Sequence, residues 1–536
     1  MPATLVFLVL GAGGLSAVAP PAVRPAVPVT LTLELFPGRG EARVTESAGA
    51  DAGDHVRSYR STVDTSRFRI EPGNSYLFPS SLWDRFAGSR HGPFRIEVVT
   101  RADEAVLASG YRIAREDADA PGLARTVFAG EERDRGVGLY VLARAAGPDG
   151  EFPAAPPWAT GFLQPILDDL SARFGPLAGQ PPRVAVVDFP RRMAKAFPGA
   201  LVLDRRLALG DGAPPAGRLA ILAHEAAHLW WANGVRTTGP GASALQEGLA
   251  EYAACRVIGS LVGPSAETAR WQALKDEYVM ASEAIADAGA TVENEQGARW
   301  PGRAVRYARA AWIIRMLELR IGHQAFTTGL KDLMNQGDPV DWLRLIEVMS
   351  AVSGVRLDAF ETGWIRGSGH PDPHVTVNAD GEVSIENRGR GAGEFPLEQS
   401  CHGGHGIRAE RFVSIGAGRT ATIELPDRGC TVRVDPRQSF LLGARGPTAP
   451  PGLVMGRAWG FPVVRGVEDE SAAARAGLQS GDLIVEADGQ PLDEGDVRAV
   501  LGRMNSGREI HLRVRRGHTV LELVFGSTAG VAGPPS

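Results

Sequence analysis

The residue types best suited to chemistry stand close together in the middle of the chain. His224-Glu225-Ala226-Ala227-His228 sets two imidazoles four positions apart, inside an apolar run from Leu219 to Trp231. On an α-helix, positions i and i+4 share a face, so both rings can reach one ion. Glu225, between them, is turned toward the adjacent position, where it can hold a water and take its proton. Eighteen residues after His228 comes Glu247. Two imidazoles and one carboxylate bind zinc and leave a fourth position for water, which marks a catalytic rather than a closed structural site. Glu251 follows Glu247 by four residues on the same helical face, so it is the natural partner to orient a ligand imidazole from behind. The chain has only three cysteines (Cys255, Cys401 and Cys430). A thiolate zinc site needs more, so a metal here leans on His and carboxylate.

These side chains need two helices to hold them. The apolar run Leu219 to Trp231 is the first, with Asn233-Gly234 as its stop. The second is expected from Ser243 to about Ile258, with Ser243 and Gln246 in capping-box spacing and Gly259 as a stop. Upstream, the period is helical from Trp158 to about Phe174, and Val184–Phe189 and Ala200–Asp204 are strand-like. Long helical patterns continue to about Trp364, and His370–Pro373 punctuates their end. Residues 158–370 are therefore read as one mainly helical catalytic domain. On either side the pattern is short alternating runs. Residues 28–150 read as an N-terminal antiparallel β domain, with runs at Val29–Leu35, Phe68–Ile70, Phe94–Val99 and Val137–Leu142. Residues 375–445 read as a small second β domain, followed by the linker GPTAPPG, a compact unit at 453–526 and a Gly/Pro-rich tail at 527–536. The expected class is a multidomain α+β chain.

The stretch HEAAHLWWANG…LQEGLAEY resembles the zinc aminopeptidases of the membrane alanyl aminopeptidase family, in the gluzincin group. Asn233 fits that family's Gly-Asn after the helix, with Ala232 in place of the Gly. Downstream, Tyr307-Ala308-Arg309-Ala310-Ala311 is similar to the family's Tyr-x-Lys-Gly-Ala. The resemblance covers about residues 160 to 370. It implies a thermolysin-like catalytic domain, zinc held by His224, His228 and Glu247, and Glu225 as the base. It also implies that Tyr307 donates a hydrogen bond to the oxyanion of the transition state. One element of the pattern is missing. The family has a Gly-x-Met-Glu-Asn strand before the active-site helix, and its Glu grips the substrate's free amine. The positions that correspond here, Ala196 to Val202, contain no acid. The resemblance thus implies peptide hydrolysis and leaves aminopeptidase and endopeptidase action both open.

Near the C-terminus, SAAARAGLQSGDLI at 471–484 resembles the PDZ signature of bacterial proteases. Val463–Val467, Leu483–Ala487, His511–Arg515 and Val520–Phe525 alternate as strands, and Gly495–Met504 reads as the helix beside the groove. PDZ domains bind a C-terminal or extended peptide as an added strand. Trp459, Gly460 and Phe461 occupy the place expected for the carboxylate-binding loop, where Pro462 removes one backbone donor. An N-terminal β domain, a gluzincin core and a terminal PDZ also resemble the order of domains in the glycyl aminopeptidase family.

Composition narrows the remaining choices. The chain has 57 basic and 62 acidic residues, a net charge of −5, so no global basic field invites nucleic acid. Residues 1–19 read as a secretory signal peptide with an apolar core and a small-residue cleavage site, or as an N-terminal anchor. No later stretch is long and apolar enough to span a bilayer. A periplasmic or secreted location follows as an expectation, and there Cys401 and Cys430 can form a disulfide while Cys255 sits in a helical core pattern. The function expected is zinc-dependent hydrolysis of exported peptides or proteins. The alternative is a catalytically idle PDZ scaffold with a structural zinc, against which the intact Glu225 argues.

Overall fold

The computed structural model describes residues 29–36, 41–48, 55–60, 68–69, 74–77, 94–130, 139–142, 155–178, 181–187, 194–208, 216–287, 290–294, 302–337, 339–378, 382–401, 408–424, 430–437, 439–443, 450, 452–458, 461–492, 497–506, 508–516 and 519–526. The architecture is α+β in several units. The first contains a six-stranded and a four-stranded sheet. Pairing in it is mostly antiparallel, as alternation predicts, but Val29–Phe36 runs parallel to Phe94–Arg101. A parallel neighbour requires a long crossover, and the strands between the two supply it.

The helical unit follows. Its helices are α1 (Pro157–Phe174), the single turn α2 (Arg205–Ala208), α3 (Ala216–Ala227), α4 (Ala242–Leu261) and α5 (Pro264–Asp287). Then come the short α6 (Gly302–Ala304), a π-helical turn over Val305–Arg309, α7 (Ala310–Ile321), α8 (His323–Gln336), α9 (Trp342–Ser353), the short α10 (Asp358–Phe360) and a second π-turn at Glu361–Ile365. A three-stranded sheet lies upstream of α3. Its hairpin, Ala194–Phe197 and Ala200–Asp204, packs beside α3. The core is one continuous apolar cluster that includes the buried indoles of Trp230, Trp231, Trp271, Trp312, Trp342 and Trp364. Burying a large aromatic removes about 150–250 Å² from water, so these rings anchor the helical layers.

Two three-stranded sheets occupy Pro373–Val434. Cys430 is disulfide-bonded there, and the ladder sets it opposite Cys401. Cys255 is a free, buried thiol in α4. The last unit has the strand order Leu453–Ala458, Phe461–Val467, Leu483–Ala487, Ile510–Arg516, Thr519–Phe525, with α11 (Ala472–Arg475) and α12 (Val497–Met504) packed on it. Its core is separate, built from Leu453, Met455, Val464, Ile484, Val500, Leu501 and others. Among the described residues no helix is long and apolar enough to cross a membrane.

Candidate active site

Small side chains set up the site. Ala220, Ala223, Ala227, Ala250, Ala253 and Ala254 are fully buried on α3 and α4, which pack against each other. Without bulky side chains the two axes can approach closely, and α3 histidines then reach an α4 carboxylate. Gly248, next to Glu247, brings α7 just as near. A Cβ there would stand 2.7 Å from Cβ of Ala310.

Both helix boundaries differ from expectation. The regular part of α3 ends at Ala227, not Trp231. The His228 N–H still donates to the His224 carbonyl at 3.3 Å, and the chain then reverses, with Val235 N–H donating to Trp230 O at 2.7 Å. The reversal needs an unusual backbone: Ala232 takes φ 116°. It is pinned to α1, where Trp230 Nε1 donates to Gly175 O and the Phe174 ring meets Trp231 edge-on. At α4, Ser243 does not cap. The cap is Gly241 at φ 71°, and a Cβ there would lie 2.0 Å from the Val292 carbonyl oxygen. Gly259 does not stop the helix either. It lies within α4, where its missing Cβ makes room for Glu267 of α5.

The structure brings His224, His228 and Glu247 together. His224 Nε2 is 3.1 Å from Glu247 Oε2, His228 Nε2 is 3.4 Å from the same oxygen, and the two Nε2 atoms are 3.2 Å apart. A tetrahedral ion with bonds of about 2.0–2.1 Å separates its ligand atoms by about 3.3 Å. The three atoms therefore stand at the corners such an ion would require, and two imidazoles with one carboxylate suit zinc. The rings are near-perpendicular, at 90°.

Each imidazole is steadied from its far side. His228 Nδ1–H donates to the Trp231 carbonyl at 3.2 Å, which leaves Nε2 as the free lone pair. Behind His224, Nδ1 lies 3.4 Å from Glu251 Oε1, the position expected from sequence. The other Glu251 oxygen takes a hydrogen bond from Arg270 of α5. Burial alone would push the Glu251 carboxyl up, but the Arg270 charge and then His224 hold it well below the ordinary range. Burial likewise opposes a charge on His224, yet its hydrogen bonds to the Glu247 and Glu251 carboxylates raise that imidazole to about 10. Glu247 is held well below its ordinary value against burial, first by the His228 charge and then by the bond to His224. Arg270 has no signature in the sequence, because it lies on a different helix from the carboxylate it holds.

Glu225 is buried on α3 beside the cage. Tyr307 stands on the π-helical turn, with its ring stacked near His224 at 6.0 Å and 22°. Burial and then the Glu247 charge push its phenol above the ordinary range, and Glu225 adds to this, so the hydroxyl stays a donor. Arg309, two residues on, is fully buried and donates to the carbonyls of Ala290 and Trp364, which clamps the turn in place. The Arg303 guanidinium lies over the Tyr307 ring, 4.3 Å from the centroid. Sequence reading does not find Arg303.

The hairpin beside α3 carries no acid from Ala196 to Val202, and its one carboxylate, Asp204, is fully buried at the far end. Asp188 and Glu151, other acids that could serve an amine, lie outside the described residues.

In the C-terminal unit Trp459 and Gly460 are outside the described residues, and Phe461 opens a strand. That strand is internal, flanked by Leu453–Ala458 and Leu483–Ala487. One edge strand is Leu453–Ala458, which packs near both α12 and α5. The 471–484 signature is a cap and a pin. Ser471 Oγ accepts from Ala474 N–H at 3.1 Å, and the buried Asp482 accepts two bonds from Arg516 at 2.7 Å.

Comparison with known proteins agrees with these units. Residues 212–364 match the Peptidase family M1 domain and residues 463–516 match a PDZ domain. The chain is 42% identical over 64 residues to the regulator of sigma-E protease RseP of Escherichia coli, covering 12% of this chain and 14% of that protein. It is 31% identical over 137 residues to the magnetosome formation protease MamE of Paramagnetospirillum magneticum, covering 24% of this chain and 18% of that one. The chain thus spans less than a fifth of the length of these curated relatives. Among solved structures it is similar to Legionella pneumophila aminopeptidase A in complex with aspartic acid. The TM-score is 0.55 at 16% identity, over 78% of this chain and 59% of that one, which is a likeness of fold.

Proposed function

We propose that this chain, with its Peptidase family M1 domain and its PDZ domain, is a zinc-dependent peptidase acting on exported or periplasmic peptides. The observation that carries this reading is the convergence of His224, His228 and Glu247 at tetrahedral-edge distances, with Glu225 and Tyr307 beside them. His224, His228 and Glu247 hold the ion. When bound, zinc supplies a Lewis acid that polarises the scissile carbonyl and acidifies water. Glu225 accepts the proton of the attacking water and passes it to the leaving nitrogen as the C–N bond breaks, so the products are a carboxylate and an amine. The Tyr307 hydroxyl donates to the carbonyl oxygen as its negative charge grows. Glu251 and Arg270 keep the His224 ring aimed.

Substrate choice follows from what flanks α3. With no acid from Ala196 to Val202, an ammonium buried there would stay unpaired at a cost of several kcal/mol. N-terminally blocked peptides are therefore cut at least as well as free ones. The PDZ domain takes an extended peptide as an added strand. The test is a cleavage profile on a peptide mixture with free and acetylated N-termini, run beside Glu225→Gln. Zinc-dependent cleavage that Glu225→Gln abolishes supports the reading, and a full zinc complement without cleavage of any peptide removes it in favour of an idle scaffold. Strict dependence on a free amine would defeat the blocked-peptide preference alone.

A further inference from the structure

The helical domain meets the PDZ domain through α5. That helix lies against the edge strand Leu453–Ala458, and its half-buried Met280 packs on the PDZ core. Most of that core is already walled. Phe461–Val467 pairs with one edge of the strand, and among the described residues no strand pairs with the other. Leu453 and Met455 are buried inward, where Val500, Leu501 and Met504 of α12 join them. Side chains on the outer face of a sheet point away from its core. A side chain from another domain therefore reaches this core past the unpaired edge of Leu453–Ala458, and Met280 is such a side chain.

We propose that α5 and a peptide compete for the Leu453–Ala458 edge, so that the PDZ domain takes a peptide there only when it lets go of Met280. The inference rests on the reading of the PDZ domain as a peptide binder and adds what holds that site shut, a segment of this same chain. An added strand pairs with a sheet edge and sets alternate side chains into the pockets beside it, which is the place Met280 fills. A helix is the weaker occupant in one respect. Its own N–H and C=O groups are spent internally, so α5 covers the strand without pairing its main chain, whereas a peptide pairs it and fills the pocket as well. The dock can also part without unfolding either domain. The PDZ core is separate from the core of the helical domain, and the linker GPTAPPG joins the PDZ domain to the rest of the chain. α5 is held from other sides, where Lys275 donates to the Phe440 carbonyl at 3.0 Å and the Tyr278 hydroxyl meets His370 Nδ1 at 3.2 Å. The contact at Met280 is thus the one that opens, and the pair of Arg270 with Glu251 behind the metal cage stays in place.

The test uses the full zinc-loaded Glu225→Gln chain, which leaves bound peptide uncut, and the same chain carrying Met280→Asp. A display library of decapeptides is selected on each, and the enriched peptides are labelled and titrated against both by fluorescence anisotropy. With the dock closed in about nine molecules of ten, only the open fraction of the parent is competent, so the peptides should bind the Met280→Asp chain about tenfold more tightly. Hydrogen exchange locates the effect. In the parent, saturating peptide should protect Leu453–Ala458 and speed exchange in residues 277–284, the Met280 end of α5. Affinities within twofold of each other overturn the competition, and so does protection of the opposite edge, Thr519–Phe525, with α5 unaltered. Met280→Gln, with melting temperature and zinc binding checked, serves if Met280→Asp fails to fold. The two failures read differently. If enriched peptides bind both chains alike, only the competition falls, and if neither chain enriches a peptide, the peptide-binding reading of the PDZ domain falls with it.

Discussion

Glu251 carries no zinc bond, yet its replacement should weaken the metal site strongly. Its Oε1 stands 3.4 Å behind His224 Nδ1, and its other oxygen is held by Arg270. Both partners are nearly buried, so the carboxylate is fixed and its charge is poorly screened. Glu251→Gln keeps the shape and removes the charge that makes the His224 ring a better donor. Loss of such a partner typically costs 10–100-fold in metal affinity, or about 1.4–2.7 kcal/mol. The change also leaves the Arg270 guanidinium without its counter-charge, which can destabilise the fold by about 3–5 kcal/mol. The double variant Glu251→Gln, Arg270→Met separates the effects, because it removes the stranded cation and leaves the weakened imidazole. The assay is competition for zinc with a chromogenic chelator, alongside thermal unfolding of the zinc-free proteins. The expected result is weak zinc binding in both variants and recovered stability in the double. Zinc affinity within threefold of the parent in a folded Glu251→Gln protein would refute the argument.

Tyr307→Phe removes one oxyanion donor and should lower kcat by ~10²–10³ with little change in KM; steady-state kinetics on a cleaved peptide checks it, and an unchanged kcat passes the role to another residue. Ala232 holds φ 116°, a region that favours glycine, so Ala232→Gly should raise stability by about 1 kcal/mol in denaturant unfolding; a loss of stability would contradict the strain. His370 faces Tyr278 at 3.2 Å, with Arg309, Lys275 and Asp372 around it, and burial followed by Arg309 lowers its imidazole to about 4. The unfolded chain takes up its proton near pH 6.5, so this contribution is complete above that pH and drains as pH falls toward 4, by at most about 3 kcal/mol. His370→Gln should flatten stability against pH in that window, and an unaltered slope would assign it to other groups.

What could be read from the sequence divides by the range of the force that fixes it. The cage is legible because a helical period alone puts His224 and His228 on one face, and the same period puts Glu251 behind Glu247. The ends of those helices are less legible because tertiary contacts set them. Ser243 is a good capping residue, but the Val292 carbonyl crowds the position two earlier until only Gly241 fits, and the helix starts there. A Gly inside α4 looks like a stop until Glu267 is seen to need its space. The charged residues that tune the site are less legible still. Arg270 comes from α5 and Arg303 from the turn before the π-helix. Arg270 has no spacing relation to the residue it acts on. Tyr307 lies between these cases. Its register with a known pattern marks it, but its aim depends on a π-turn, whose extra residue shifts every side chain before it relative to α7. An uninterrupted 3.6-residue period through Val305–Ala310 would rotate Tyr307 away from its present bearing. The contacts of Tyr307 with His224 and with Arg303 therefore depend on the one irregular turn in that helical stretch, which Arg309 holds by pairing with main-chain carbonyls.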